Sequence, residues 1–224
     1  MIRSRLAAAV LAAVLAAAAC ALVSGCGASG SGRGASFPSP VEQLGQARQA
    51  ALVADATARK AERAESRGRE DEAGDLREQA IAEYREALTV SGEMPDAWNN
   101  LGVLLMQQED LVGAADAFTM AMQLSPTDPR PAENLGLVYA RAGWAEESLK
   151  YYDLALERSP DRLQALRGAL KAAHLLGQAD ERRLDQVRRA LLMESEEAWR
   201  DFFAREQVRI SGRLESDRRA VEPP

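Results

Sequence analysis

The sequence predicts an all-α fold: a solenoid of stacked antiparallel helix pairs, closed by a C-terminal capping helix. Two observations carry this. Two stretches superpose at a shift of 34 residues, with Leu101-Gly102 on Leu135-Gly136, Phe118 on Tyr152, Ala121 on Ala155 and Ser125-Pro126 on Ser159-Pro160. A period of that size marks supersecondary units that bury their faces only against neighbours. Within a unit the apolar residues recur at helical spacing, as Leu101, Leu104 and Leu105 do.

The clearest unit spans 95–128. It reads Trp98-x2-Leu101-Gly102-x2-Leu105, then Ala114-x3-Phe118-x2-Ala121, then Pro126. The next, 129–162, reads Leu135-Gly136-x2-Tyr139, Gly143, Ser148-x3-Tyr152-x2-Ala155 and Pro160. This pattern resembles the tetratricopeptide repeat (TPR). The second unit departs from it with Ala132 in the tryptophan position and Ser148 in a small-alanine position, both still small. Gly102 and Gly136 let the paired helices approach, and Phe118 and Tyr152 fill the space between units. Asp128 before Pro129 reads as an N-cap with proline at the first helical position. Gly143 falls in the turn between helices, where a positive φ suits glycine.

Such units need neighbours, so flanking pairs are expected. Upstream, Ala80-x3-Tyr84-x2-Ala87 lies 34 residues before its counterpart, giving a degenerate pair over 41–94 with its turn near Gly68 or Gly74. Downstream, Gly177 lies 34 residues after Gly143, giving a worn pair over 163–194, with helices at 163–176 and 179–193. There Gly168 takes the place of an asparagine, and Arg182 and Arg189 fall on alanine positions. Residues 195–213 read as a capping helix begun by Ser195-Glu196-Glu197 and striped by Trp199, Phe202, Phe203, Val208 and Ile210. A dimerisation helix is the other reading of that stripe. Residues 214–224 are expected to fray.

The N-terminus carries a different signal. Arg3 and Arg5 precede an uncharged run from Leu6 to Val23, which ends in Ser24-Gly25-Cys26. That order reads as a secretory signal over 1–25. Leu22-Val23-Ser24-Gly25-Cys26 resembles the bacterial lipobox, which implies diacylglycerol and N-acyl lipid on Cys26. Cys20, an uncleaved anchor and a plain cleaved signal are the alternatives. Residues 26–40, rich in Gly, Ala and Ser, read as a flexible tether. By the sorting rule of that family, Gly27 after the lipidated cysteine implies the outer membrane facing the periplasm in a Gram-negative cell.

Composition narrows the function. Removing residues 1–25 takes away Arg3 and Arg5 and moves the net charge from −6 to −8. That acidity argues against nucleic acid, which needs clustered Lys and Arg. His174 is the only histidine, so His-based triads and paired-His metal sites are excluded within one chain; it reads as a partly buried or groove-lining residue. Gly27 to Gly34 precedes no apolar strand and is a tether, not a phosphate loop. No enzyme activity, metal, small-molecule substrate or cofactor beyond the lipid is expected.

The TPR resemblance implies a concave surface lined by the first helix of each unit. Asn100 and Asn134 each stand directly before a Leu-Gly pair. This resembles the asparagine ladder in the repeats of the O-linked N-acetylglucosamine transferase, which holds a peptide backbone through both ends of each amide. Local capping is the competing reading of these asparagines. Val103 and Gln107, Leu137 and Arg141, and Lys171 and Leu175 follow around the same face. With Arg167 they predict a groove that becomes basic towards the C-terminus and receives an extended peptide with an acidic or carboxylate end. The expected role is a membrane-anchored adaptor or scaffold that binds a protein partner in the bacterial cell envelope. In plan it resembles small TPR lipoproteins that assist secretin assembly, outer-membrane biogenesis or peptidoglycan enzymes. A self-assembling structural module is the alternative.

Overall fold

The computed structural model describes residues 38–221. The expected signal peptide, Cys20, Cys26, most of the tether and the end of the expected tail lie outside these residues. Helices follow one another as α1 (Pro40–Glu65), α2 (Glu70–Val90), α3 (Pro95–Gln107), α4 (Leu111–Leu124), α5 (Pro129–Arg141), α6 (Ala145–Arg158), α7 (Leu163–Leu175), α8 (Glu181–Met193) and α9 (Glu197–Val221). They pack as antiparallel pairs α1–α2, α3–α4, α5–α6 and α7–α8, with α9 laid on the last. The fold is an all-α TPR-like solenoid with a capping helix.

Helix boundaries follow local chemistry. Ser39 and Glu42 form a reciprocal capping box at the start of α1. Asp128 accepts a hydrogen bond from the Arg130 N–H, and Pro129 occupies the first helical position of α5. The turns within the pairs use Gly68, Gly143 and Gly177 at φ of 71°, 79° and 67°. Gly74, the other candidate for the first turn, lies inside α2. In the first unit the position matching Gly143 is Glu109, held at φ 61° without glycine's freedom.

Successive first helices touch one another: α1 with α3, α3 with α5, α5 with α7. Successive second helices show no comparable packing. The first helices therefore form the inner row of the curve. Between rows, Phe118 is fully buried and Tyr152 nearly so. A Cβ on Gly102 would stand 2.6 Å from the Phe118 ring, and one on Gly136 2.8 Å from Tyr152. Ser148 fits its small-residue position because its hydroxyl donates to the Gly136 carbonyl at 2.9 Å. Met122 and Leu137 touch the apolar clusters of both halves, so the core is continuous.

Three expectations need correction. The helix expected from residue 179 starts at Glu181, because Asp180 is extended and caps it by accepting from the Arg183 N–H. The turn runs 176–180, against 142–144 in the preceding unit, which carries the buried face of α8 out of the 34-residue phase. Arg182 and Arg189 consequently stay half-exposed, and Arg183 and Ala190 take the inner positions. The segment 214–221, expected to fray, belongs to α9. Leu214 continues its apolar stripe and Arg218 pairs with Glu181 at 2.7 Å. Ser195 does not cap α9; the Glu194 carboxylate accepts from the Ser195 and Glu196 N–H groups, both at 3.0 Å.

Candidate functional site

The inner row is stitched by polar side chains at its N-terminal end. Asn100 Nδ2 donates to Asp55 Oδ1 at 3.1 Å, joining α3 to α1. The buried Tyr84 hydroxyl donates to the same oxygen, and burial together with that carboxylate raises its pKa well above the usual phenol value. Asn134 Nδ2 donates to Asn99 Oδ1 at 3.0 Å, joining α5 to α3. The two predicted ladder asparagines thus hold neighbouring helices. Asn100 also lines an open cleft of about 360 Å³ with Arg48, Asp55, Glu93 and Asp96, an acidic surface with one base.

The other clusters of predicted residues part company along the row. Val103 is half-buried against the core. Gln107 accepts from Arg77 at 3.2 Å. Arg141 donates to the Met106 carbonyl at 3.1 Å and lies 3.4 Å from Glu109, both of the preceding unit. Arg167 is spent more fully. It meets Glu194 through two hydrogen bonds of 2.7 and 2.6 Å and Glu196 through one of 2.9 Å. Its guanidinium lies over the Trp199 ring, 5.1 Å from the centroid. The hydrogen bonds from Arg167 hold the Glu194 carboxyl down at about 2. Arg167 is therefore a strut between α7 and α9, and not the free cation the sequence suggested.

Leu137, Arg167 and Lys171 do come together. They line a cleft of about 290 Å³ between α5, α6, α7 and α9, floored by Tyr152 and Gly168 and walled by Leu175 and Trp199. Lys171 is exposed and has no ion-pair partner among the described residues. Leu175 is 69% exposed although it sits in an apolar setting. Trp199 is half-buried, with Phe202 edge-on at 5.7 Å and the fully buried Phe203 behind it. Burial, and secondarily the charge of Glu133, pushes the Tyr152 phenol up to about 12, so it stays neutral.

Two residues of this cleft escaped sequence reasoning. Gly168 looked like a lost repeat marker; a Cβ there would come within 2.2 Å of the Tyr152 ring, so its absence makes the floor. Trp199 read as part of a cap, and its partner Arg167 lies 32 residues away, beyond any local pattern. At the far side of α7, His174 Nδ1 lies 2.8 Å from Glu206 Oε1. Burial opposes the Glu206 charge, and hydrogen bonds from Arg209 and His174 outweigh it and lower its pKa. Arg209 also donates to the Gln178 carbonyl at 2.8 Å, which fastens α9 to the last turn. His174 is thus structural in its contacts. Among the described residues no group of His, Cys, Asp and Glu is placed to hold a metal ion, and no helix is long and apolar enough to cross a membrane.

Comparison with known proteins agrees with this architecture. Residues 95–128 and residues 132–162 each match a tetratricopeptide-repeat family model. No curated protein matches the chain. Among solved structures, the crystal structure of the MamA protein is similar at 16% identity over 68% of this chain and 81% of that one, with a TM-score of 0.50. The first TPR of Spaghetti (RPAP3), bound to the HSP90 peptide SRMEEVD, is similar at 21% identity over 58% of this chain and 95% of that one, with a TM-score of 0.47. The two units at the centre of the array are tetratricopeptide repeats, a family that serves in protein–protein interaction.

Proposed function

We propose that this chain is a lipid-anchored adaptor of the bacterial cell envelope, which captures a segment of a partner protein on its inner row of helices. The observation that supports capture is the cleft between α5, α7 and α9, where Leu175 and Trp199 leave apolar surface open beside Lys171. Concave, mostly apolar clefts with a few polar groups are where proteins bind ligands. The repeats supply a rigid scaffold, so binding needs little rearrangement. The chain acts by binding and positioning, not by catalysis.

The anchor is read from residues 1–40. A basic start, an uncharged run and Leu22-Val23-Ser24-Gly25-Cys26 support lipidation of Cys26 after cleavage. The Gly/Ala/Ser-rich stretch then separates the array from the membrane. Gly27 favours the outer membrane, facing the periplasm, if the host is Gram-negative. Metabolic labelling with a palmitate analogue tests this. Label should enter the chain and be lost, with membrane fractionation, in Cys26→Ala. Label retained by Cys26→Ala, or a soluble unlabelled native protein, contradicts the anchor.

A further inference from the structure

We infer that the cleft between α5, α7 and α9 selects an apolar side chain flanked by carboxylates, with Lys171 as the selecting charge. This rests on the capture reading above and names the chemistry of the captured segment.

Three features of this chain lead there. The first is the floor. At the third position of the asparagine row stands Gly168, and the Tyr152 ring occupies the space a side chain there would need. The cleft therefore lacks the asparagine of the row, Gln164 is the one side-chain amide in its lining, and its floor and walls, Tyr152, Leu137, Leu175 and Trp199, suit an apolar side chain. The second is which charges are already matched. Arg167 is neutralised by Glu194 and Glu196 and lies over the Trp199 ring, so it shapes the wall without attracting an anion. Arg141 is turned towards Met106 and Glu109. The third is the charge left over. Lys171 stands one helical turn from Arg167 and one from Leu175, on the face that lines the cleft, and has no acidic partner among the described residues.

A cationic segment entering this cleft would meet Lys171 with no carboxylate free to offset it. An acidic segment would supply the missing partner, and the attraction, together with the repulsion Lys171 exerts on a cationic segment, gives the selection. The cleft at the other end of the row has the opposite character, with Asp55 and Glu93 against Arg48, while its Asp96 is already paired with Arg130 at 2.7 Å. An acidic segment is therefore repelled at α1–α3 and accepted at α5–α7, which fixes where on the row it binds.

The test uses the full chain and nine-residue peptides with blocked ends, carrying a central Leu or Ser flanked by Glu, Gln or Lys. Fluorescence anisotropy reads binding. The Leu peptide with Glu flanks should bind about tenfold more tightly than the one with Lys flanks, and Ser in place of Leu should weaken it by a similar factor. Lys171→Glu, at an exposed position, should reverse the order of the charged flanks, and Lys171→Met should erase it. Leu175→Ser should weaken every Leu peptide and keep their order. Equal binding of Glu and Lys flanks, or an order unchanged by Lys171→Glu, overturns the charge selection and leaves capture standing. If Leu175→Ser changes nothing while peptides still bind, the cleft is not the receptor. If no peptide binds and the chain has no protein partner in the cell, the capture reading falls with it.

Discussion

The first repeat, residues 95–128, and the last pair, residues 163–193, share one plan and differ in charge and in what they bury. The first carries Asp96, Glu109, Asp110, Asp116 and Asp128 and no Lys or Arg at all. Its interior is apolar, built from Leu101, Leu104, Phe118 and small alanines, apart from Asn99, which accepts from Asn134. The last pair carries Arg167, Lys171, Arg182, Arg183, Arg188 and Arg189 against three acids. It buries Arg183 against Asp153 of α6 through hydrogen bonds of 2.6 and 2.5 Å, with Gln186 alongside at 2.7 Å. A repeat close to its pattern is held by shape, whereas a worn one is held by specific ion pairs. The worn region is also where the open apolar cleft lies. The field along the array follows the same divide and steers an acidic partner towards the C-terminal half.

The largest loss is expected from Asp153→Ala. It leaves the Arg183 guanidinium buried without its counter-charge, and loss of one partner of a buried pair typically removes about 3–5 kcal/mol. A denaturant midpoint will show it. Adding Arg183→Met should recover much of the loss; equal loss in the double variant would mean the pair is not the cause. In the first repeat the buried apolar packing is the target. Gly102→Ala drives a Cβ into the Phe118 ring, and overpacking of this kind removes about 1–3 kcal/mol. A loss below about half a kcal/mol would show that Phe118 can move aside.

The pH response should also separate the two regions. Arg167 holds the Glu194 carboxyl at about 2, below its ordinary value of 4.5. A carboxyl lowered by folding stabilises the fold above its unfolded value and loses that contribution as the pH falls through the folded one. Melting temperature should therefore decline between about pH 4.5 and about pH 2 through the contact of α7 with the C-cap of α8. Glu194→Gln should flatten that part of the profile while lowering stability at neutral pH. An unchanged slope would remove Glu194 from the account. The smallest effect expected is a gain. Glu109 occupies a left-handed backbone position at φ 61°, where the next unit uses Gly143. Glu109→Gly should add about 1 kcal/mol by relieving that strain, less whatever its 3.4 Å contact with Arg141 contributes. A fall in melting temperature would show that the contact outweighs the strain.

These residues also show what could be read from the chain alone. The glycine turns at 143 and 177, the Asp128 cap and the glycine–aromatic contacts follow from spacing, because each acts within one unit or between adjacent ones. The asparagines were placed on the correct helices, yet their partners Asp55 and Asn99 depend on how α1, α3 and α5 lie side by side. Arg167 reads as a groove cation because Glu194, at the C-cap of α8, reaches it only once α8 packs back along α7. The lengthened turn at 176–180 shifted the face of α8, which no fixed period could register.

Crosslinking in living cells tests the central claim, that the inner row captures a segment of another protein. A photoreactive benzophenone side chain placed at Leu175 lies in the cleft; one at Val112, 67% exposed on α4, reports the outer row. A discrete adduct is expected from Leu175 and none from Val112, with the crosslinked segment of the partner, identified by mass spectrometry, carrying an apolar residue beside acids. Equal adducts from both positions, or adducts formed only between copies of this chain, would contradict it.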